Sequence, residues 1–257
     1  MGRASWLLLF GLAVFVVALV WTMPLAFVAQ NAGLAQRGIL YERAQGTVWS
    51  GDLLGVTLAG QPIGKVTLLL DPVGLLKGSF EYDMDVAGPA GRARGDVSFG
   101  LGGQIGIRDM VADINVQALQ RLDPRLRQMP ATVSLTLPAL AADHRLACQE
   151  AGGRVRTDLL EKLGAGLQWT GPAMAGVISC GGDGGYQIVL GNEGGEDEIT
   201  VTADGSPLTV SYQAEARVKT RNRTVADTLA LLGFQRVGDE FVYSRANGVI
   251  RSIGEAG

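Results

Sequence analysis

The chain has 257 residues, 47% of them hydrophobic, and a formal net charge of −3. That balance excludes a basic nucleic-acid binder, because the positive residues are scattered and no stripe of them could track a phosphate backbone. The 37 glycines follow no triplet period, so they read as turns in a β-rich fold rather than as collagen or a low-complexity chain.

Residues 4–29 form a run of 26 positions without a charged side chain. As a helix at ~1.5 Å per residue, the run would be roughly 39 Å long, more than the ~30 Å hydrocarbon core of a bilayer. We read a tail over 1–5, a membrane span over 6–28 ending at Trp6 and Val28, and a β-rich domain over 29–257. A cleaved signal peptide is the competing reading, since Arg3 supplies a minimal basic n-region. Against it, the run exceeds the ~7 to 15 residues of a signal h-region, and Phe27 and Gln30 stand where small residues should precede a cut. Arg3 on one side and Arg37 and Arg43 on the other leave the positive-inside count nearly balanced. Trp6 and Trp21 near the two ends suit the membrane interfaces.

Beyond the run, 38–49 and 52–59 read as strands around Ser50-Gly51, and 65–70 follows the Gly60-Gln61-Pro62 turn. Residues 73–78 are too short for a stable helix and read as one apolar turn. The next segment alternates, with Phe80, Tyr82, Met84 and Val86 on one face and Glu81, Asp83 and Asp85 on the other. Strands over 92–101 and 104–112 meet at Gly102-Gly103, a dipeptide suited to a hairpin. Residues 118–128 give short helical pieces limited by Pro124, and 155–163 is ambiguous between strand and helix. Strands follow over 132–137, 177–180, 186–190, 199–203 and 208–217, and a helix over 224–232 opens on Thr224 with Asp227 and stops at Gly233. The expected fold is mainly β: a large antiparallel, curved sheet behind one span, with one short C-terminal helix.

The pattern Gly46-x-x-Trp49-Ser50-Gly51 returns 120 residues later as Gly166-x-x-Trp169-Thr170-Gly171, each copy leading into a strand. It points to a two-fold internal repeat, with halves at 38–145 and 146–257, and to Trp side chains anchored at strand ends. Cys148 and Cys180, an isolated pair, read as a disulfide or as two buried thiols. The disulfide would place the domain in an oxidising compartment and the N-terminus in the cytoplasm.

Catalytic material is scarce. His144 is the single histidine and has no companion at metal-ligand spacing. The acidic group Glu193, Glu196, Asp197 and Glu198 lacks the order of an EF-hand and reads as a charged hairpin tip. Arg217, Lys219, Arg221 and Arg223 alternate along a strand and its exit, as a solvated face or a contact for anionic headgroups or an acidic partner. No catalytic residue, cofactor site or metal site emerges, and the reading is non-enzymatic.

Taken in order, the N-terminal apolar segment, Gly46 to Gly51, Leu75-Leu76-Lys77-Gly78, Gln168-Trp169-Thr170-Gly171-Pro172 with Gly176 and Cys180, and Leu229-Ala230-Leu231-Leu232-Gly233-Phe234 resemble the type II secretion system protein N family, also called general secretion pathway protein N. The resemblance implies a bitopic bacterial inner-membrane protein with a periplasmic domain that helps export folded proteins across the outer membrane. Its implied partners are other type II secretion components, the inner-membrane platform or the secretin. A second, fold-level resemblance is to AsmA-type envelope proteins, which implies lipid as a ligand and an apolar groove lined by one strand face.

Overall fold

Period-two alternation over so many segments needs a sheet with one apolar and one wet face. The computed structural model describes residues 10–247 apart from 13, 16, 17, 19, 20, 32, 36, 37, 59, 77, 101, 121–125, 166–170, 183, 194–196, 207–210 and 232. Among these residues fifteen strands form one open antiparallel sheet. They are β1 (Ile39–Leu40), β2 (Arg43–Gly46), β3 (Ser50–Leu58), β4 (Gln61–Asp71), β5 (Ser79–Gly88), β6 (Gly91–Gly100), β7 (Ile105–Asn115) and β8 (Thr132–Ala142). Then come β9 (Cys148–Thr157), β10 (Met174–Cys180), β11 (Tyr186–Asn192), β12 (Glu198–Ser206), β13 (Ser211–Lys219), β14 (Gln235–Val237) and β15 (Glu240–Asn247). From β3 to β13 each strand pairs with its sequence neighbours; β1 and β2 both lie against β3, and β15 pairs with β13 and carries β14 on its other side. The helices are α1 (Leu25–Asn31), α2 (Pro72–Leu76), α3 (Leu159–Ala165) and α4 (Arg223–Leu231).

The register produces an unbroken apolar row. Ala44 pairs with Leu53, and the line continues through Val66, Val86, Ala93, Ala112 and Leu135 on successive strands. It runs on through Val155, Gly176, Leu190, Val201, Ala216 and Tyr243. Strands ~4.8 Å apart make this row roughly 58 Å long. The opposite face is polar: Asp83 meets Arg94 at 3.6 Å, Glu81 meets Arg108 at 2.8 Å and Asp52 meets Lys65 at 3.1 Å. The sheet passes without interruption across residue 145, where β8 and β9 pair from Val133↔Thr157 to Ala142↔Cys148.

Two clusters of buried side chains sit on the apolar face. In one, Leu25 and Ala29, a turn apart on α1, pack on Leu53, Val56 and Val66. In the other, Met174, Ile199, Val218 and Phe241 are covered by Leu160 of α3, Ala226 and Leu229 of α4, and Phe234. α4 is capped by Asn222, whose side-chain oxygen accepts from the Thr224 N–H at 3.0 Å, so the cap lies two residues before the expected one. Its far end closes as expected at Gly233: φ is +90°, Gly233 N–H donates to the Ala230 carbonyl and Phe234 N–H to the Leu229 carbonyl.

Other expectations change in detail. The strand expected over 38–49 is divided into β1 and β2 by a break at Tyr41 and Glu42, and it ends at Gly46 (φ +86°), where the chain turns through Thr47 to Trp49. The ambiguous stretch over 155–163 is divided too, strand to Thr157 and helix from Leu159. Residues 72–76 form a single helical turn, and the hairpin β14–β15 was not foreseen. Among the described residues no helix is long and apolar enough to cross a membrane.

Candidate functional site

On the N-terminal half of the apolar face, side chains of β3 to β7 leave a trough of about 1090 Å³, bounded on one side by α1. One end is bridged: Gln61 at the start of β4 donates to the Ala118 carbonyl and accepts from the Gln120 N–H, both at 2.8 Å, so the segment that follows β7 reaches back past β6 and β5 to β4. Gly91 permits the tight approach at this end: its φ is +133°, and an added Cβ would lie 1.9 Å from the Asp113 carbonyl oxygen.

The other end of the trough is aromatic. Phe80 and Phe99 are cross-strand partners, and Tyr82 meets Phe99 edge to face with centroids 6.4 Å apart. Phe80 and Phe99 remain 41% and 40% exposed, so the lip of the trough is apolar. Burial pushes the Tyr82 phenol above its ordinary pKa. Beside this end, the Leu70 N–H donates to the Trp49 carbonyl, and Trp49 lies 5.2 Å from Trp21 of the N-terminal segment.

The sequence-derived positions fall as follows. Gly46, Trp49 and Gly51 form the β2–β3 hairpin, where the N-terminal segment is fastened: Val48 N–H donates to the Met23 carbonyl at 3.1 Å, and Pro24 forms a β-bridge with Thr47. Gly51 makes room for α1, since a Cβ there would lie 2.7 Å from Leu25 Cδ2. In the second copy, Gly166 and Trp169 lie outside the described residues, while Gly171 crosses α3 so closely that a Cβ would lie 2.0 Å from the Leu160 carbonyl. Trp6 also lies outside the described residues; Val28 lies on α1 and lines the trough.

Cys148 and Cys180 form a disulfide with Cα atoms 5.6 Å apart. It joins β9 to β10 beyond their last paired rung, Gly153↔Ile178. His144 is exposed on the turn between β8 and β9, in which the Asp143 carboxylate accepts from the Arg145 and Ala147 N–H groups. Those bonds, the Ala147 one first, hold the Asp143 carboxyl below its usual pKa. Among the described residues no cluster of His, Cys, Asp or Glu could hold a metal ion. Glu193 pairs with Arg156, Arg217 with Glu215 and Glu240, and Lys219 with Asp239 at 2.7 Å, so local acids balance much of the basic strand.

The trough is an apolar groove lined by one strand face. Sequence reasoning missed its two organising features. α1 was hidden inside the uncharged run, and nothing local marks Gln61 as the bridge to residues 118–120. No curated protein and no solved structure matches the chain. The family model described as Type II secretion system (T2SS), protein N matches residues 37–242, from just before β1 into β15, and the chain accordingly belongs to the type II secretion system protein N family.

Proposed function

We propose that this type II secretion component is a bitopic inner-membrane protein, held by its uncharged N-terminal segment with the sheet domain in the periplasm, and that it acts by protein contact rather than catalysis. The observation carrying the contact role is the edge at β15. β14 covers it only from Glu240 to Val242, so among the described residues the outer edge from Tyr243 to Asn247 pairs with no strand. Such an edge accepts an added strand from a partner.

Support for the placement is chemical. A disulfide persists in an oxidising compartment, which for an inner-membrane protein is the periplasm. In the N-terminal segment Phe10, Leu12, Phe15 and Trp21 are 59%, 59%, 62% and 67% exposed, side chains that a bilayer would cover. With Pro24 to Asn31 held against the sheet, the span ends near Thr22 rather than at Val28.

The test is photo-crosslinking in native membranes from Ser244 on the open edge and Val237 on β14. Adducts with the inner-membrane platform or the secretin support the proposal. Absence of any protein adduct from either site, with secretion active, refutes the edge as the contact.

A further inference from the structure

The trough is open, apolar and large. Filled with water at ~30 Å³ per molecule it would hold about 36 molecules, most of them without a hydrogen-bond partner. We propose that the trough is a binding site for the acyl chains of bilayer phospholipid. This goes beyond the secretion role and does not require it; it does rest on the reading of the N-terminal segment as a membrane anchor.

Three observations select hydrocarbon chains over a protein segment. First, the backbone of β4 to β7 is committed to ladders on both sides, so an extended peptide lying in the trough would bury N–H and C=O groups with no partner. An acyl chain has no such groups. Second, a protein-binding patch carries a polar rim. Here the lip is Phe80 and Phe99, both exposed, beside Trp49. Third, that lip lies at the end where the N-terminal segment arrives, with Trp21 against Trp49, whereas the far end is bridged by Gln61. The mouth therefore faces the bilayer from which chains would enter. From Phe80 to Gly88 the floor along β5 is roughly 26 Å long at ~3.3 Å per residue. That exceeds the ~15 Å of hydrocarbon in one leaflet.

The experiment uses the full chain with a benzophenone amino acid at Met84 or Val97 in the trough, or at Asp85 or Arg94 on the polar face. Each variant is checked for the Cys148–Cys180 disulfide and for sheet content. It is then irradiated in vesicles of phosphatidylethanolamine and phosphatidylglycerol, and separately in detergent with lysophosphatidylethanolamine and no vesicles. The expected result is a mass increase of one lipid at Met84 and Val97 in both preparations, with none at Asp85 and Arg94. Ala93→Trp, which places an indole on the trough floor, abolishes the increase. Vesicle flotation of the same samples reports the anchor independently: a chain that fails to float but still takes lysolipid at Met84 refutes the anchor and retains the site. Equal yields on both faces, adducts only with protein, or a floating chain with no lipid at Met84 or Val97 would overturn the proposal.

Discussion

Removing the disulfide by the double substitution Cys148→Ala and Cys180→Ala tests how β9 is tied to β10. The cysteines are 32 positions apart. A closed loop of about 33 residues removes roughly 12.5 cal/mol/K of unfolded-chain entropy, or about 3.7 kcal/mol at 25 °C in the chain-entropy model. The native side adds little, because Cys148 is buried and alanine leaves no unsatisfied hydroxyl there. The ladder between β9 and β10 ends at Gly153↔Ile178, so no hydrogen bonds beyond that rung between these two strands replace the tie. A loss near 3.7 kcal/mol is a large part of the ~5 to 15 kcal/mol that stabilises a typical domain.

The assay is equilibrium urea unfolding of the full chain in detergent, followed by far-ultraviolet circular dichroism. At ~2 to 3 kcal/mol/M, the double variant should unfold about 1 to 2 M earlier than the oxidised protein. Reductant should move the wild type to the same midpoint and leave the variant unchanged. A variant within 1 kcal/mol of the oxidised wild type would refute the loop-closure argument. So would a wild type insensitive to reductant under denaturing conditions.

Three further outcomes follow from local geometry. Gly176→Ala puts a Cβ 1.9 Å from the Val189 carbonyl oxygen in the middle of the sheet, and should cost about 1 to 3 kcal/mol in urea titrations; an unchanged midpoint contradicts this register. Gln61→Leu removes two 2.8 Å bonds at ~0.5 to 1.5 kcal/mol each and frees the bridged end of the trough. Amide exchange at Ala118 to Gln120 should quicken, and unaltered protection there would refute the bridge. The Asp52 carboxyl is held below its ordinary pKa, chiefly by the Thr67 hydroxyl and then by Lys65. A depressed folded value stabilises above the unfolded carboxylate range and is lost as pH falls through it. Thr67→Val should therefore raise the acid-unfolding midpoint, and identical midpoints would dismiss the linkage.

Short-range alternation carried much of the fold. Phe80, Tyr82, Met84 and Val86 lie on the apolar face as the sequence implied, and Gly102-Gly103 does join β6 to β7. Failure came where local signals have two meanings. Leu25 and Ala29 are as hydrophobic as any membrane residue, and hydropathy does not separate a side chain facing lipid from one packed on Val66. The ambiguous stretch was read only from Val155, yet β9 begins at Cys148 and contains Gly152-Gly153. There, a Cβ on Gly153 would come 2.4 Å from Leu137 Cδ2, so the glycine makes space for a neighbour invisible in the local sequence. The trough was legible only as a face. One end of it is closed by the bonds of Gln61 to residues 118–120, a contact between positions nearly sixty apart.

One apolar row crosses the whole sheet, but its two halves are finished differently. The C-terminal half is sealed by side chains from α3, α4 and Phe234. On the N-terminal half, α1 packs on Leu53, Val56 and Val66 and covers one flank. Between β4, which ends at Asp71, and β5, which starts at Ser79, the chain forms only the five-residue α2. The short α2 leaves Leu75 at the trough boundary without covering the floor. Exposed apolar surface of this size favours association with something that removes it from water. The fold concentrates that surface beside the end where the N-terminal segment joins through Trp21 and Trp49. Trough and N-terminal segment thus share one end of the sheet, while the β15 edge, unpaired among the described residues, lies at the opposite end of the strand order. The proposed lipid and partner contacts therefore fall on different surfaces of a single sheet, without either having to displace the other.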